Sequence, residues 1–301
     1  MKNKLLAIIA ALVVASALLH GQQGQAPQTL PLSPTIRPSG QGVTAAYEGW
    51  FYNKDGSISL LVGYFNRNQK QELDIPIGPN NRIEPGGPDL GQPTHFLAGR
   101  QYGVFAIRVP KNFGTQQLTW TLTANGQTNA IPMHTKPDWV VEPFEDAGSR
   151  NTPPTVRFEP TGQTVTGPPT GVATTLAAIA GEPLLLTAWV TDELARVNVA
   201  TPARRPRPST TGPSTPPPPL SVAWSKYRGP GTVAFVNAKP TIAKERDGEA
   251  QTTATFTAPG YYVLRLQAND QSGDGGGGFQ CCWTNAYVAV TVKGPAVTSD
   301  K

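Results

Sequence analysis

Two adjacent cysteines, Cys281 and Cys282, are the only thiols in the chain and carry its most unusual chemistry. Consecutive Cα atoms lie about 3.8 Å apart across a trans peptide, short of the roughly 4.4–6.8 Å that a disulfide normally spans. In a regular strand the two side chains would also point to opposite faces. A disulfide between neighbours therefore needs a distorted turn, and Gly275 to Gly278 just upstream offer one. The alternatives are two free or buried thiols, or pairing between chains. The C-x-x-C spacing of a redox motif is absent.

The same region holds the other candidates for chemistry. Gly273-Asp274-Gly275-Gly276-Gly277-Gly278 satisfies G-x-G-x-x-G, but no helix follows whose N-terminus could bind phosphate, so a loop is expected. Asp270 and Asp274 beside these glycines are weak calcium candidates, weighed against ordinary turn caps. Beyond the N-terminal segment only His95 and His134 remain, each without a motif, and zinc ligands at usable spacing are missing. Neither G-x-S-x-G nor H-E-x-x-H occurs. Glu142, Glu145 and Asp146 gather near Trp139 and Phe144, a grouping that a glycosidase could use but that reads first as a solvated linker. No catalytic residue, metal or cofactor is assigned, and an uncatalogued hydrolase stands as the remote alternative.

Two features suit binding. Arg204, Arg205 and Arg207 sit in a proline-rich run through Pro219, a basic extended segment able to dock an aromatic groove or an anionic polymer, or simply a solvated insertion. Tyr47, Trp50, Phe51, Tyr52, Tyr64 and Phe65 form either a core or, if solvent-facing, a sugar-stacking platform. Trp50 and Tyr52 are its leading candidates.

The elements that must position these residues follow from composition. Lys2 and Lys4, the apolar run Leu5 to Leu19, and the small residues Ala15-Ser16-Ala17 and Gly21 form the order of a secretory signal over residues 1–21. An uncleaved anchor would be short for a bilayer, which takes about 20 apolar residues. With 31 Gly and 31 Pro among 301 residues, six Trp, eight Tyr and ten Phe, the chain suits short strands joined by tight turns. The formal charge of +5 includes Lys2 and Lys4, and the nearly balanced remainder gives no nucleic-acid surface.

A flexible tether is expected over 22–42, then a first β-sandwich over 43–134. Its clearest signal is a hairpin whose two apolar runs flank Asn53-Lys54-Asp55-Gly56. Leu118, Trp120 and Leu122 alternate with Thr119, Thr121 and Thr123, and Asn125-Gly126 supplies a second hairpin turn. Seven prolines mark 135–171 as an interdomain connection. A second sandwich over 172–294 carries the proline-rich insertion 200–219, and 295–301 is a tail. In its strand Gly260 to Asn269, Tyr262, Leu264, Leu266 and Ala268 share one face.

The ordered pieces of this second half resemble the PKD-like and related immunoglobulin-like domains of secreted bacterial proteins. They are Gly181-Glu182-Pro183-Leu184, Val190-Thr191-Asp192, Val222-Ala223-Trp224, Gly229 to Phe235, Thr253 to Tyr262, Ala268-Asn269-Asp270 and Val288 to Val292. The resemblance implies a β-sandwich with Trp224 between its sheets. The insertion occupies the place of an Asp- and Gly-rich loop, so a calcium site built on that loop is not expected. The fold class expected is all-β, two tandem antiparallel β-sandwiches behind a signal peptide. The function expected is a non-enzymatic binding, adhesion or assembly protein, exported to the periplasm, cell surface or medium, with a carbohydrate-binding accessory protein as the alternative. Its partner would be a protein or polysaccharide outside the cytoplasm. A membrane is involved only if the signal segment is retained.

Overall fold

Asn53 and Ser57 close the first hairpin, joining β1 (Val43–Tyr52) to β2 (Ile58–Asn66). Asn53 N donates to Ser57 O at 2.8 Å, and Gly56 takes the positive φ that the turn requires. The computed structural model describes residues 37–146, 150–192, 220–270 and 282–295. The expected signal segment, most of the expected tether, Arg204, Arg205, Arg207, Asp274, Cys281 and the glycine run lie outside the described residues.

The first sandwich continues through β3 (Leu73–Asp74), β4 (Asn81–Glu84), β5 (His95–Phe96), β6 (Gly99–Val109), β7 (Leu118–Ala124) and β8 (Gln127–Met133). Sheet β1-β2-β6 faces sheet β4-β7-β8, and the short pair β3-β5 lies beside them. The alternation in β7 places Leu118, Trp120 and Leu122 in the core with Leu60, Val62, Tyr64 and Phe105. Asn81 ties this core to the irregular segments. Its Nδ2 donates to the carbonyls of Ile75 (2.9 Å) and Pro93 (2.7 Å), and its Oδ1 accepts from Trp120 Nε1 (2.9 Å), so the buried amide is satisfied. The Asn125-Gly126 turn has positive φ at both residues, as a two-residue hairpin demands.

The second sandwich comprises β9 (Thr155–Arg157), β10 (Val165–Thr166), β11 (Val172–Ile179), β12 (Pro183–Thr191), β13 (Leu220–Arg228), β14 (Val233–Phe235), β15 (Glu249–Phe256), β16 (Gly260–Asp270) and β17 (Trp283–Lys293). One sheet runs β10-β9-β12-β15-β14 and the other β11-β17-β16-β13. The pairing is antiparallel except for β11, which lies parallel to β17. The proline-rich connection thus contributes two very short strands to the second sandwich. Trp224 is buried between the sheets, with Phe158 6.1 Å away. Tyr262, at the start of β16, donates its hydroxyl to Ala258 O at 2.8 Å, four residues upstream. A buried tryptophan on this strand and a tyrosine bonded back across the corner are marks of an immunoglobulin-like sandwich. The fold is all-β, and no helix among the described residues is long and apolar enough to cross a membrane.

β16 is buried on both faces, which separates it from a surface strand. Tyr262, Leu264, Leu266 and Ala268 line the second core, while Val263 joins the first core together with Tyr227 and Tyr287. The two cores therefore meet across the β11-β17-β16-β13 sheet. Trp283, fully buried, enters a pocket of Phe51, Leu61 and Val141 on the back of the first sheet. It fits because β6 bulges at Gly103, where the register with β2 shifts between Val62 and Tyr64. A β-carbon on Gly103 would lie 1.8 Å from Trp283 Cη2, and its φ is +50°.

This gives a paired prediction. Gly103→Ala meets both the indole and the left-handed backbone, and should cost about 2–4 kcal/mol, combining overpacking with αL strain. Gly126→Ala has nothing within 4 Å of the new carbon and should cost about 1 kcal/mol. Equal losses in urea denaturation would contradict a seam built on that contact.

Candidate functional site

A groove of about 1680 Å³ opens where the β3–β5–β6 side of the first sandwich meets β13 and the segment following it. The cross-strand register Asp74↔His95 brings an acid opposite the histidine. His95 Nδ1 is 3.0 Å from Asp74 Oδ1 and Nε2 is 3.1 Å from Glu72 Oε2. With carboxylates on both ring nitrogens, none is left to activate a hydroxyl, so this grouping lacks the arrangement of a nucleophile–histidine–acid triad. Sequence inspection missed the cluster because β3 and β5 are two residues each. Only their pairing relates positions twenty-one apart.

Asp74 also receives Lys226 Nζ from β13 at 2.8 Å, and that amine donates to Gly231 O at 3.1 Å. Burial pushes against ionisation of Asp74, but the bonds from Lys226 and His95 outweigh it and hold the carboxyl below its usual range. Close by, Arg228 grips Asp89 at 2.8 and 3.0 Å and donates from Nε to Gln92 O at 2.8 Å. Those bonds likewise lower the Asp89 carboxyl. On the other flank Glu48 accepts Arg100 Nη2 at 2.6 Å and the Gly103 amide at 2.7 Å, propping the bulge. Its burial is strong enough to raise its pKa despite both donors.

Arg265 of β16 completes the floor. It is 4% exposed, and its Nη2 donates to Gln101 Oε1 at 2.7 Å and to Gln267 Oε1 at 3.5 Å. Its buried Nε has no partner. Alternation in β16 places its neighbours on the inner face, but a charged outward residue buried by the first sandwich has no sequence signal.

The residues singled out from sequence are distributed as follows. Trp50, Phe51 and Tyr64 are buried, and Trp50 Nε1 donates to Lys136 O at 2.7 Å. Tyr52 and Phe65 are exposed, Tyr52 standing edge-on to Trp50 at 5.1 Å. Tyr47 stacks on exposed Trp139 at 5.3 Å, with His134 at the edge of both rings. Glu145 pairs with Arg150 at 2.8 Å. Asp270 is buried and accepts Asn151 Nδ2 at 2.5 Å. Among the described residues no three His, Cys, Asp or Glu side chains gather as metal ligands. Cys282 is buried with φ of +80°, while Cys281 lies outside the described residues.

No protein-family model matches the chain, and neither does any curated protein. Among solved structures it is similar to domains 4 and 5 of the S-layer protein SbsC, at 12% identity and TM-score 0.22, covering 84% of this chain and 98% of that one. The D00-D0 domain of intimin matches at 11% identity and TM-score 0.26, covering 83% and 99%. The titin Ig tandem A164-A165 matches at 9% identity and TM-score 0.23, covering 85% and 100%. Scores this low carry no weight. The immunoglobulin-like character rests on the strand order, Trp224 and Tyr262.

The acid–base pairs in and beside the groove fix a pH dependence. Asp74 and Asp89 have folded-state pKa values below the ordinary carboxylate value of about 4. Their contribution is complete above that value and disappears as pH falls through the depressed one. Wild type should therefore lose stability on acidification faster than Asp74→Asn/Asp89→Asn. Denaturation midpoints from pH 6 to pH 2.5 check this, and parallel curves would refute it.

Proposed function

We propose that the protein is an exported, non-enzymatic assembly module whose second, PKD-like sandwich joins a second copy of the chain by strand addition at β11. The observation that carries this reading is the character of that edge. Val172-Ala173-Thr174-Thr175-Leu176-Ala177-Ala178-Ile179 is uncharged and free of proline, its register is regular from Thr174 onward after a shift at its start, and it ends its sheet with no strand beyond it among the described residues. Proteins usually blunt such edges with charge, proline, bulges or brevity. The other edges here are blunted in those ways. β8 contains Pro132, while β10 and β14 are two and three residues long. β13 donates its Trp224 amide to Ala238 O at 2.7 Å, and its Tyr227 carbonyl accepts from Thr94 N at 3.1 Å.

A second copy is the occupant best matched to this strand. Ala180 N bonds Lys293 O of β17, so alternation along the regular part of the strand turns the amides of Thr175 and Ala177 outward. Antiparallel pairing about Thr175 sets Thr175 against Thr175 and Ala173 against Ala177, with no like charges opposed. The two four-stranded sheets would then run on as one. The signal-type N-terminus supports action outside the cytoplasm, and the buried Trp50, Phe51 and Tyr64 weaken the sugar-platform alternative.

Sedimentation velocity over rising concentration tests the proposal. Wild type should dimerise, and Thr175→Lys, which opposes two cations across the axis, should remain monomeric with an unchanged thermal midpoint. A wild-type monomer at all concentrations, or an equally stable Thr175→Lys dimer, would overturn it.

A further inference from the structure

The buried and half-buried cations in and beside the groove differ in one respect. Arg100 has Glu48 at 2.6 Å, Lys226 has Asp74 at 2.8 Å and Arg228 has Asp89 at 2.8 Å. Arg265, the most buried of the arginines, has no acid partner among the described residues. It has one amide oxygen at 2.7 Å, a second at the limit of bonding distance, and a buried Nε with nothing to donate to. Tyr64, Tyr227 and Tyr287 feel its charge, but each is itself buried and held protonated by desolvation. A guanidinium removed from water without a counter-ion is strongly disfavoured, and proteins normally supply one.

The groove supplies the route by which a ligand could. Arg265, Gln101, Gln267 and Asn269 all line it. Among the described residues the lining is otherwise balanced: Arg100, Lys226, Lys239 and Lys244 against Glu72, Asp74, Asp192 and Asp247. The surplus is the single charge of Arg265, which suits a monoanion better than a phosphate dianion. A planar carboxylate matches the guanidinium fork. The half-buried amides of Gln101, Gln267 and Asn269 surround that position with donors and acceptors suited to vicinal hydroxyls.

We propose that this groove binds a carboxylate-bearing sugar of the uronic-acid class, with Arg265 pairing its carboxylate and the three amides taking its hydroxyls. The site is separate from the β11 edge and does not depend on self-assembly. It is tested on the full chain by calorimetric titration with glucuronate, glucose and N-acetylglycine. Glucuronate should bind at least tenfold more tightly than glucose, which lacks the charge, and than N-acetylglycine, which lacks the ring hydroxyls. Arg265→Gln should abolish the preference for glucuronate over glucose. Should that variant fail to fold, glucuronate should instead shift the Arg265 Nε–H resonance of the wild type, while glucose does not. Equal binding of glucuronate and glucose, unaltered preference in Arg265→Gln, or an unmoved Arg265 resonance would overturn the proposal. Tighter binding of N-acetylglycine would also overturn it, in favour of a peptide carboxylate.

Discussion

The indole of Trp283 against the bare backbone of Gly103 is the contact on which the rest of the molecule depends. Neither half of it works alone. A residue with a side chain at position 103 would exclude the ring, and without the ring a fully enclosed pocket between Phe51, Leu61 and Val141 would stand empty. Truncating a tryptophan at such a site costs about 3–5 kcal/mol, a large part of the stability of any domain. The bulge that brings Gly103 to this position is held by Glu48, whose two oxygens take the Gly103 amide and the Arg100 guanidinium. Burying that carboxylate is unfavourable in itself, as its raised pKa records, so the seam outweighs a local cost.

Once Trp283 is seated, the adjoining strand positions are constrained. Asn285 Nδ2 donates to Gly103 O at 2.8 Å, and Tyr287 donates to the Val104 carbonyl. Every second residue of β17 from Trp283 to Tyr287 thus faces the first sandwich, and Ala286 and Val288 on the other face fill the second core. The same holds for Val263 and Arg265 in β16. A sheet used on both faces cannot also present a face to a partner, which leaves edges and the groove as surfaces for recognition. β13 is engaged along its edge, whereas no strand pairs with the outer edge of β11 among the described residues.

The long strands were legible because their chemistry is local. The β1–β2 hairpin follows from Asp55-Gly56, the β7–β8 hairpin from Asn125-Gly126, and the inner face of β16 from strict alternation. Residues 81–84, 95–96, 155–157 and 165–166 were not read as strands. Segments of two to four residues among prolines carry no period, and their pairing is imposed by longer neighbours such as β7 and β12. The groove was illegible for a related reason. Glu72, Asp74, His95, Lys226 and Arg265 come from elements far apart in sequence, and each reads alone as a solvated polar residue. Trp50 shows the converse limit: composition identifies an aromatic, but only the chain at Lys136 and Val141 determines that it is covered.

Leu264, two residues beyond Tyr262, stands where antibody domains place the second cysteine of their inter-sheet disulfide, and it is fully buried. The second sandwich is therefore pinned by packing instead of a covalent bond between its sheets. Phe256 lies edge-on to Tyr262 at 4.9 Å, and Tyr262 closes the corner through Ala258, so one aromatic joins both sheets to the turn between them. Packing of this kind tolerates no loss of partner area, and here the outer face of the same sheet gains more from the first sandwich. The seam thus takes over part of the role that a disulfide fills in a domain folding alone. Residues 283–287 serve both the second sheet and the contact with the first, so the two halves are coupled through the strand that follows Cys282.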